Sequence, residues 1–324
     1  MPRKRLVQIM CSRSLQTPTA PRNCAPNKLA IIARRPVRIA AIHDEEWLEG
    51  EPVPDPKALL PELKREKPAA DIFTFARPLP ASEVSYPYHF EWDNVAVAGL
   101  KDGFTAWWEN LPQETRKNVR RSQRRGISVS RVPFSEELVR GISNIYDETP
   151  IRQGRKFWHY RKSLDAVRTE NATYLERSEF IGAFFNNELV GFIKYVMVNK
   201  LARIMQIVSL EAHNDKRPTN ALLAKAVELG CEKGASHLIY GKFVYGKKEN
   251  SPVTEFKRRN GFERLCFPRY YVPLTLVGAL AVRCGLHRGF KSVIPENVLN
   301  LFLAARAALY RRSAPRSIAG VAQR

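Results

Sequence analysis

The first 43 residues of this 324-residue chain contain no Asp or Glu and nine Lys/Arg, and the first carboxylate is Asp44. Prolines at 18, 21 and 26 exclude an amphipathic targeting helix there, so the segment reads as a basic flexible extension. Cysteine is scarce and unpaired in pattern: Cys11, Cys24, Cys231, Cys266 and Cys284 form no CxxC, which excludes a disulfide scaffold and the common zinc ribbons. Cys231 in a helix pattern and Cys266 in a strand pattern read as packing thiols of a reducing compartment. No apolar run approaches the ~18 residues of a spanning helix. The longest candidate, LTLVGALAV (274–282), is closed by Arg283. P-loop, nucleophile-elbow, dinucleotide-binding and metalloprotease spacings are also missing, which leaves no metal and no hydrolase reading.

What is present is a core. An apolar share of 44% with 10% aromatics is that of a folded protein of one large or two ordinary domains. The formal charge is +21. Of 53 Lys/Arg, nine lie in the acid-free segment and the remaining 44 face 32 acidic residues, which leaves +12 on the body. Such a body favours anionic partners, nucleotides, tRNA, glycans or lipid headgroups among them.

Alternation and β-branched content predict strands at DIFTFA (71–76) and HFEWDNVAVAGL (89–100), after a Pro-rich entry with a short helix near 57–66. Two helical stretches follow, DGFTAWWENL and LPQETRKNVRRSQRR, the second stopped by Gly126. ISVSRV (127–132) is a strand, and FSEELVRGISNIYDE (134–148) a helix capped by Ser135. A second helix spans 158–170. FIGAFFNNELVGFIKYV (180–196) is a hairpin turning at Asn186-Asn187, since Asn tolerates the positive φ such turns need. RIMQIVSLE (203–211) is an apolar strand leading to a helix at Pro218–Lys233. SHLIYGKFV (236–244), SPVTEFKRRNG and FERLCFPRYYVPL then give strand, helix and strand. The tail, 274–324, has eight Lys/Arg against one Glu. Its VLNLFLAARAALYRR (298–312) is an amphipathic helix that packs on the body or lies on an anionic membrane surface.

This order, β-α-α-β-β-β-α-β-α-β over 127–273, resembles the GNAT acyltransferase superfamily, with Gly182 and Gly191 in the hairpin and Gly261-Phe262 before the last strand. A further resemblance, to the FemAB-like branch, rests on TRKNVRRSQRRGISV (115–129), YDETPIRQGR (146–155) and Phe256-Lys257. It implies an α/β (α+β) mixed sheet flanked by helices, with 44–126 as a partial first module of the same kind. It also implies a donor that is acyl-CoA (acetyl-CoA) or, alternatively, aminoacyl-tRNA. The acceptor would be an amine or hydroxyl, on a sugar or peptide precursor of the cell envelope or a polysaccharide, in the cytoplasm or at the inner membrane face. A non-catalytic polyanion- or membrane-binding protein on this fold is the reading from another class.

In that family the loop before the central helix places glycines where backbone amides meet a pyrophosphate. Here it reads HNDKRPTN, and Arg217 and Thr219 take the glycine places. Pro218 suits the first helical position, and Lys216 and Arg217 add charge to the positive helix start. Val208, Ser209, Leu210, Lys216, Arg217, Thr219 and Asn220 are therefore the expected donor-binding residues, the first three through backbone donors to the reacting carbonyl. Acyl transfer also needs a base and an acid. Glu211 and His213, alternating on one side if the strand continues, and Tyr245 are the catalytic candidates; the family's usual Tyr position holds Lys257. The basic face carrying Arg116, Arg120 and Arg124, the loop residues Arg152 and Arg155, and Lys257 complete the set as substrate contacts. On the bland reading these are solvated charges.

Overall fold

The computed structural model describes residues 37–42, 44–49, 60–61, 63, 70–152, 154–246 and 249–288, with the backbone of 7–8 and 29–33. The tail helix expected at 298–312, most of the helix at 57–66 and most of the basic extension lie outside these residues. In chain order the strands are β1 (Val7–Gln8), β2 (Leu29–Ala33), β3 (Arg38–Ile42), β4 (Ile72–Ala76) and β5 (His89–Gly99). Helices α1 (Gly103–Asn110) and α2 (Gln113–Arg124) precede β6 (Ser128–Val132) and α3 (Glu136–Asp147). A small hairpin, β7 (Ile151–Arg152) and β8 (Arg155–Lys156), leads to α4 (Leu164–Asn171). Then come β9 (Ser178–Phe185), β10 (Glu188–Val198), β11 (Leu201–Ser209), α5 (Pro218–Glu232), β12 (His237–Ile239), α6 (Pro252–Arg259), β13 (Glu263–Pro273) and α7 (Leu276–Arg283).

The chain forms two compact units. The first holds residues 1–95, 242–247 and 264–293. Its sheet runs β1-β2-β3-β4-β13, followed by the first part of β5. The parallel step from β3 to β4 is the one exception to antiparallel pairing from β1 through β13. Part of the segment expected to be flexible is thus structure. Ile39, Ala40 and Ile42 are buried, and alternating apolar residues between two strands override the basic composition around them. Aromatics fill the centre of this unit: Phe75 stacks on Tyr270 at 5.0 Å and meets Tyr86 edge-on at 5.3 Å.

Asp71, just before β4, organises the unit's other face. Its carboxylate accepts from the Arg38 amide at 2.8 Å and the Thr275 hydroxyl at 3.1 Å, and Thr275 caps α7 through the Gly278 amide. Gly278 comes so close that a Cβ there would lie 1.8 Å from the Asp71 carbonyl oxygen. Backbone cannot yield as a flexible side chain does. We expect Gly278→Ala to cost about 3 kcal/mol or more, the upper end of overpacking penalties, read as a lowered urea midpoint. An unchanged midpoint would contradict this packing.

The second unit holds residues 96–241, 248–263 and 294–324. The expected boundary at 126 therefore moves: α1 and α2 belong with the second unit, while nearly all of β13, expected as its closing strand, belongs with the first. The mixed sheet runs β6-β9-β10-β11-β12 and then the end of β5. The hairpin turns at Asn186 and Asn187, with φ of 50° and 66°, as the sequence predicts. Alternation sends Phe192 toward α3 and α4, where Leu138, Ile142, Ile145 and Val167 form a core. Gly191 faces the other way, toward α5. Ser135 caps α3 by accepting from the Leu138 amide, and Ser163 and Ser251 cap α4 and α6 likewise. Gly261, at φ 76°, ends α6, with the Phe262 amide reaching back to the Lys257 carbonyl.

Candidate active site

The site begins where pairing stops. β11 keeps β10 beside it along its whole length, but its parallel ladder with β12 covers only Leu201–Arg203 opposite His237–Ile239. The strand expected over 236–244 ends there, because the next residues turn away: the Tyr240 amide donates to the Ala96 carbonyl, and the Ala96 amide to that of Gly241. Among the described residues no strand lies beside β11 from Ile204 to Ser209 on that side. Met205 is an extra residue in the ladder with β10, a bulge two residues beyond the last position paired to β12. The sheet thus opens beside the turn that leads into α5. Gly191 allows the close approach: a Cβ there would sit 2.9 Å from Ser209 Cβ and 3.2 Å from Leu222 Cδ1.

The end of β11 is clamped from α3 and the hairpin after it. The Arg152 guanidinium donates to the Ser209 carbonyl at 2.7 Å, the Ile145 carbonyl at 3.0 Å and Glu148 at 2.9 Å, with the Phe157 ring 4.6 Å away. The Glu148 carboxylate in turn accepts the backbone amides of Glu211 at 2.8 Å and Ala212 at 2.9 Å. These two amides come just before the loop expected to hold a pyrophosphate, and a carboxylate of the protein occupies them.

Several expected residues take other roles. β11 ends at Ser209 and Glu211–Lys216 is a 3₁₀ turn, so Glu211 and His213 do not alternate along a strand. Glu211 is exposed, whereas the His213 ring packs on Phe185 at 5.3 Å and buries an Nδ1 that makes no hydrogen bond. Tyr245 lies in the other unit and is half exposed. The Leu210 amide is bound to the Val190 carbonyl at 2.8 Å, which removes it as an oxyanion donor. By the alternation of an antiparallel ladder, the Ser209 amide points away from β10, toward the opening. Val208 packs its side chain against the α3 core. The Thr219 and Ser209 hydroxyls meet at 2.9 Å, and buried Asn220 donates to Asn260 at 3.0 Å. Arg217 adopts the left-handed conformation at φ 58°, which glycine takes without steric cost, and stays exposed, with Lys216 part-exposed beside it.

Arg152 is a clamp and not an acceptor grip, since its guanidinium is engaged and mostly buried. Arg155 is exposed on β8. Lys257 is fully buried with its ammonium on the Tyr240 carbonyl at 2.7 Å, which withdraws it from any surface role. On α2, Thr115, Val119 and Ser122 face inward, and Arg120 and Arg124 stay exposed; Arg116 reaches the Glu109 carbonyl, and Arg120 lies 5.7 Å from the Trp108 ring.

A polar cluster on the α3 side of the opening has almost no signature in the sequence. His159 stacks on Tyr146 at 4.5 Å, places Nε2 3.3 Å from the Gln206 side-chain nitrogen on β11, and meets Lys162 and Glu170 through Nδ1. Burial, and then the Lys162 charge, hold its pKa below the ordinary value, so the ring is neutral at pH 7. The Tyr146 hydroxyl is buried without a well-formed hydrogen bond, nearest to Asn171 and Gln206, and burial pushes its pKa up to about 12. The only sequence signal is the aromatic-basic loop 146–160.

No protein-family model matches the chain, and no curated protein matches it in sequence. Solved structures do match in fold. A crystal structure of FemX is 11% identical, with a TM-score of 0.54 over 79% of this chain and 85% of that one. A C-terminal domain ascribed to a lysylphosphatidylglycerol synthetase of Agrobacterium fabrum is 14% identical, with a TM-score of 0.50 over 79% of this chain and 83% of its own. A protein of unknown function from Bacteroides thetaiotaomicron is 10% identical, with a TM-score of 0.50, over 76% and 82%. The fold is GNAT/FemAB-like, a mixed α/β architecture.

Proposed function

We propose that the chain is an acyltransferase whose donor is an aminoacyl ester carried on a polyanion of the tRNA kind, with an amine or hydroxyl as acceptor. The observation that carries this reading is the opened sheet whose adjoining loop amides are capped by Glu148. An opening beside β11 suits an activated carbonyl. A carboxylate on the two amides just ahead of that loop disfavours a diphosphate there by like charge. The acceptor attacks the ester carbonyl, the new C–N or C–O bond forms, the carrier's C–O bond breaks, and the acceptor's proton passes to the released carrier hydroxyl. The Ser209 amide is the proposed oxyanion donor, and neutral His159 the proposed base.

The exposed arginines of α2 support the carrier, together with a groove of about 500 Å³ lined by Trp108, Arg120, Gln123 and Lys225. Cations over a surface that also offers an indole face suit a single-stranded nucleic acid end. One fold neighbour is a domain ascribed to a lysylphosphatidylglycerol synthetase, a name that is in keeping with this class. The acceptor then belongs to an envelope or polysaccharide precursor. No described helix is long and apolar enough to cross a membrane. Acyl-CoA is the second reading, favoured by Lys216 and Arg217 at the start of α5.

Binding of bulk tRNA across a salt series tests the carrier. Arg120→Glu with Arg124→Glu should lower the slope of log K against log salt by about 2, one for each phosphate that an arginine no longer neutralises. Stabilisation by acetyl-CoA at micromolar levels, with tRNA binding untouched by these changes, would overturn it in favour of the second reading. Tight salt-sensitive binding with no aminoacyl transfer to any amine would leave only a polyanion-binding protein.

A further inference from the structure

The first unit holds a cluster that the transfer reaction does not use. His89 and Glu91 sit two apart on β5, so their side chains share one face. His287 comes from the single turn Leu286–Arg288 that follows α7. Its Nε2 is 2.6 Å from Glu91 Oε1, and His89 Nε2 is 3.8 Å from the same oxygen. One ligand atom from each residue lies within 4.8 Å of the other two. We propose that these residues form a site for a divalent cation of the zinc type, independent of the transfer site.

Two imidazoles and one carboxylate are a donor set for borderline cations, with a fourth position left to water. Tetrahedral bonds near 2.0 Å place donors about 3.4 Å apart. The 3.8 Å pair needs only a small adjustment, and the 2.6 Å pair opens by under an ångström.

The buried ring points the same way. His287 is 2% exposed and its Nδ1 is 3.3 Å from the Ala281 carbonyl, the outer contact that fixes a ligating imidazole's orientation. A divalent cation held here engages Glu91, His287 and His89 together, and the 45%-exposed side chain of His89 gives an entry path. Arg288 is the competitor, donating Nε to Glu91 Oε1 at 2.7 Å. Its side chain is 57% exposed, so it can swing into solvent as the ion enters. Spacing searches miss the site because two ligands are adjacent on a strand and the third follows almost two hundred residues later.

The test uses untagged full-length protein and Zn²⁺ alone, titrated in competition with a chromophoric chelator. One Zn²⁺ per chain is expected. Affinity should fall at least ~10-fold in His89→Ala and in Glu91→Gln, changes at or near the surface. Arg288→Ala should bind as tightly or more tightly, because the competing cation is gone. Absence of stoichiometric binding in both the native chain and Arg288→Ala overturns the proposal. So does binding that His89→Ala leaves intact.

Discussion

Raising the pH from about 8 to about 10 is expected to strengthen folding by several kcal/mol, because two lysines are buried in the second unit. The Lys194 ammonium donates to the Asn171 carbonyl at 2.8 Å and to the Thr173 carbonyl and hydroxyl at 2.6 and 2.9 Å. It thereby satisfies backbone groups left open where α4 ends. Lys257 donates to the Tyr240 carbonyl, with its Nζ 4.2 Å from that residue's ring centre. Burial moves each from 10.5 to about 8. At neutral pH each charge therefore costs on the order of 3 kcal/mol relative to the unfolded chain.

The sign follows from proton counts. Between about 8 and 10.5 the unfolded chain holds these protons and the folded one releases them, so stability rises with pH there and the cost is full below 8. Buried Tyr146 and Tyr195, both raised by burial, and Cys231 work the other way, since their unfolded forms ionise first. The comparison that isolates the lysines is urea unfolding across this range for the native chain and for Lys194→Met with Lys257→Met. The double variant should lose the upward component. Parallel pH profiles for the two proteins would refute the assignment.

Local signals in the sequence reach structure where local chemistry decides. Asn186-Asn187 fixes a turn, Ser135 and Ser251 fix helix starts, and Gly261 fixes a helix end. Failures cluster where a partner distant in sequence decides. β3 is a strand because β4, some thirty residues on, lies beside it. β12 is short because β5 takes the following backbone, and the opening at Ile204–Ser209 exists for the same reason. A run of apolar letters from 236 to 244 carries no trace of that departure. Lys257 reads as a surface charge because no pattern announces a buried ammonium. His159, Gln206 and Tyr146 come from a loop, a strand and a helix, and only the fold brings them together.

Glu148→Ala should have two effects that no other single change combines. The first is a loss of about 2 to 3 kcal/mol. The carboxylate binds Arg152 across a pair only 15% and 18% exposed, and its removal strands a mostly buried guanidinium along with two backbone amides. The partial exposure keeps the figure below that of a fully buried pair. The second effect is a gain. With the carboxylate gone, the Glu211 and Ala212 amides are freed and the repelling charge ahead of the loop is removed, so CoA should bind roughly tenfold more tightly. Glu148→Gln separates the two. It keeps an acceptor for one amide, so it should lose less stability, yet it removes the repelling charge and should gain most of the CoA affinity. If both variants are destabilised and neither binds CoA better, Glu148 braces the strand end and does nothing to select the donor. The preference for a polyanionic carrier over a diphosphate would then rest on the arginines of α2 alone.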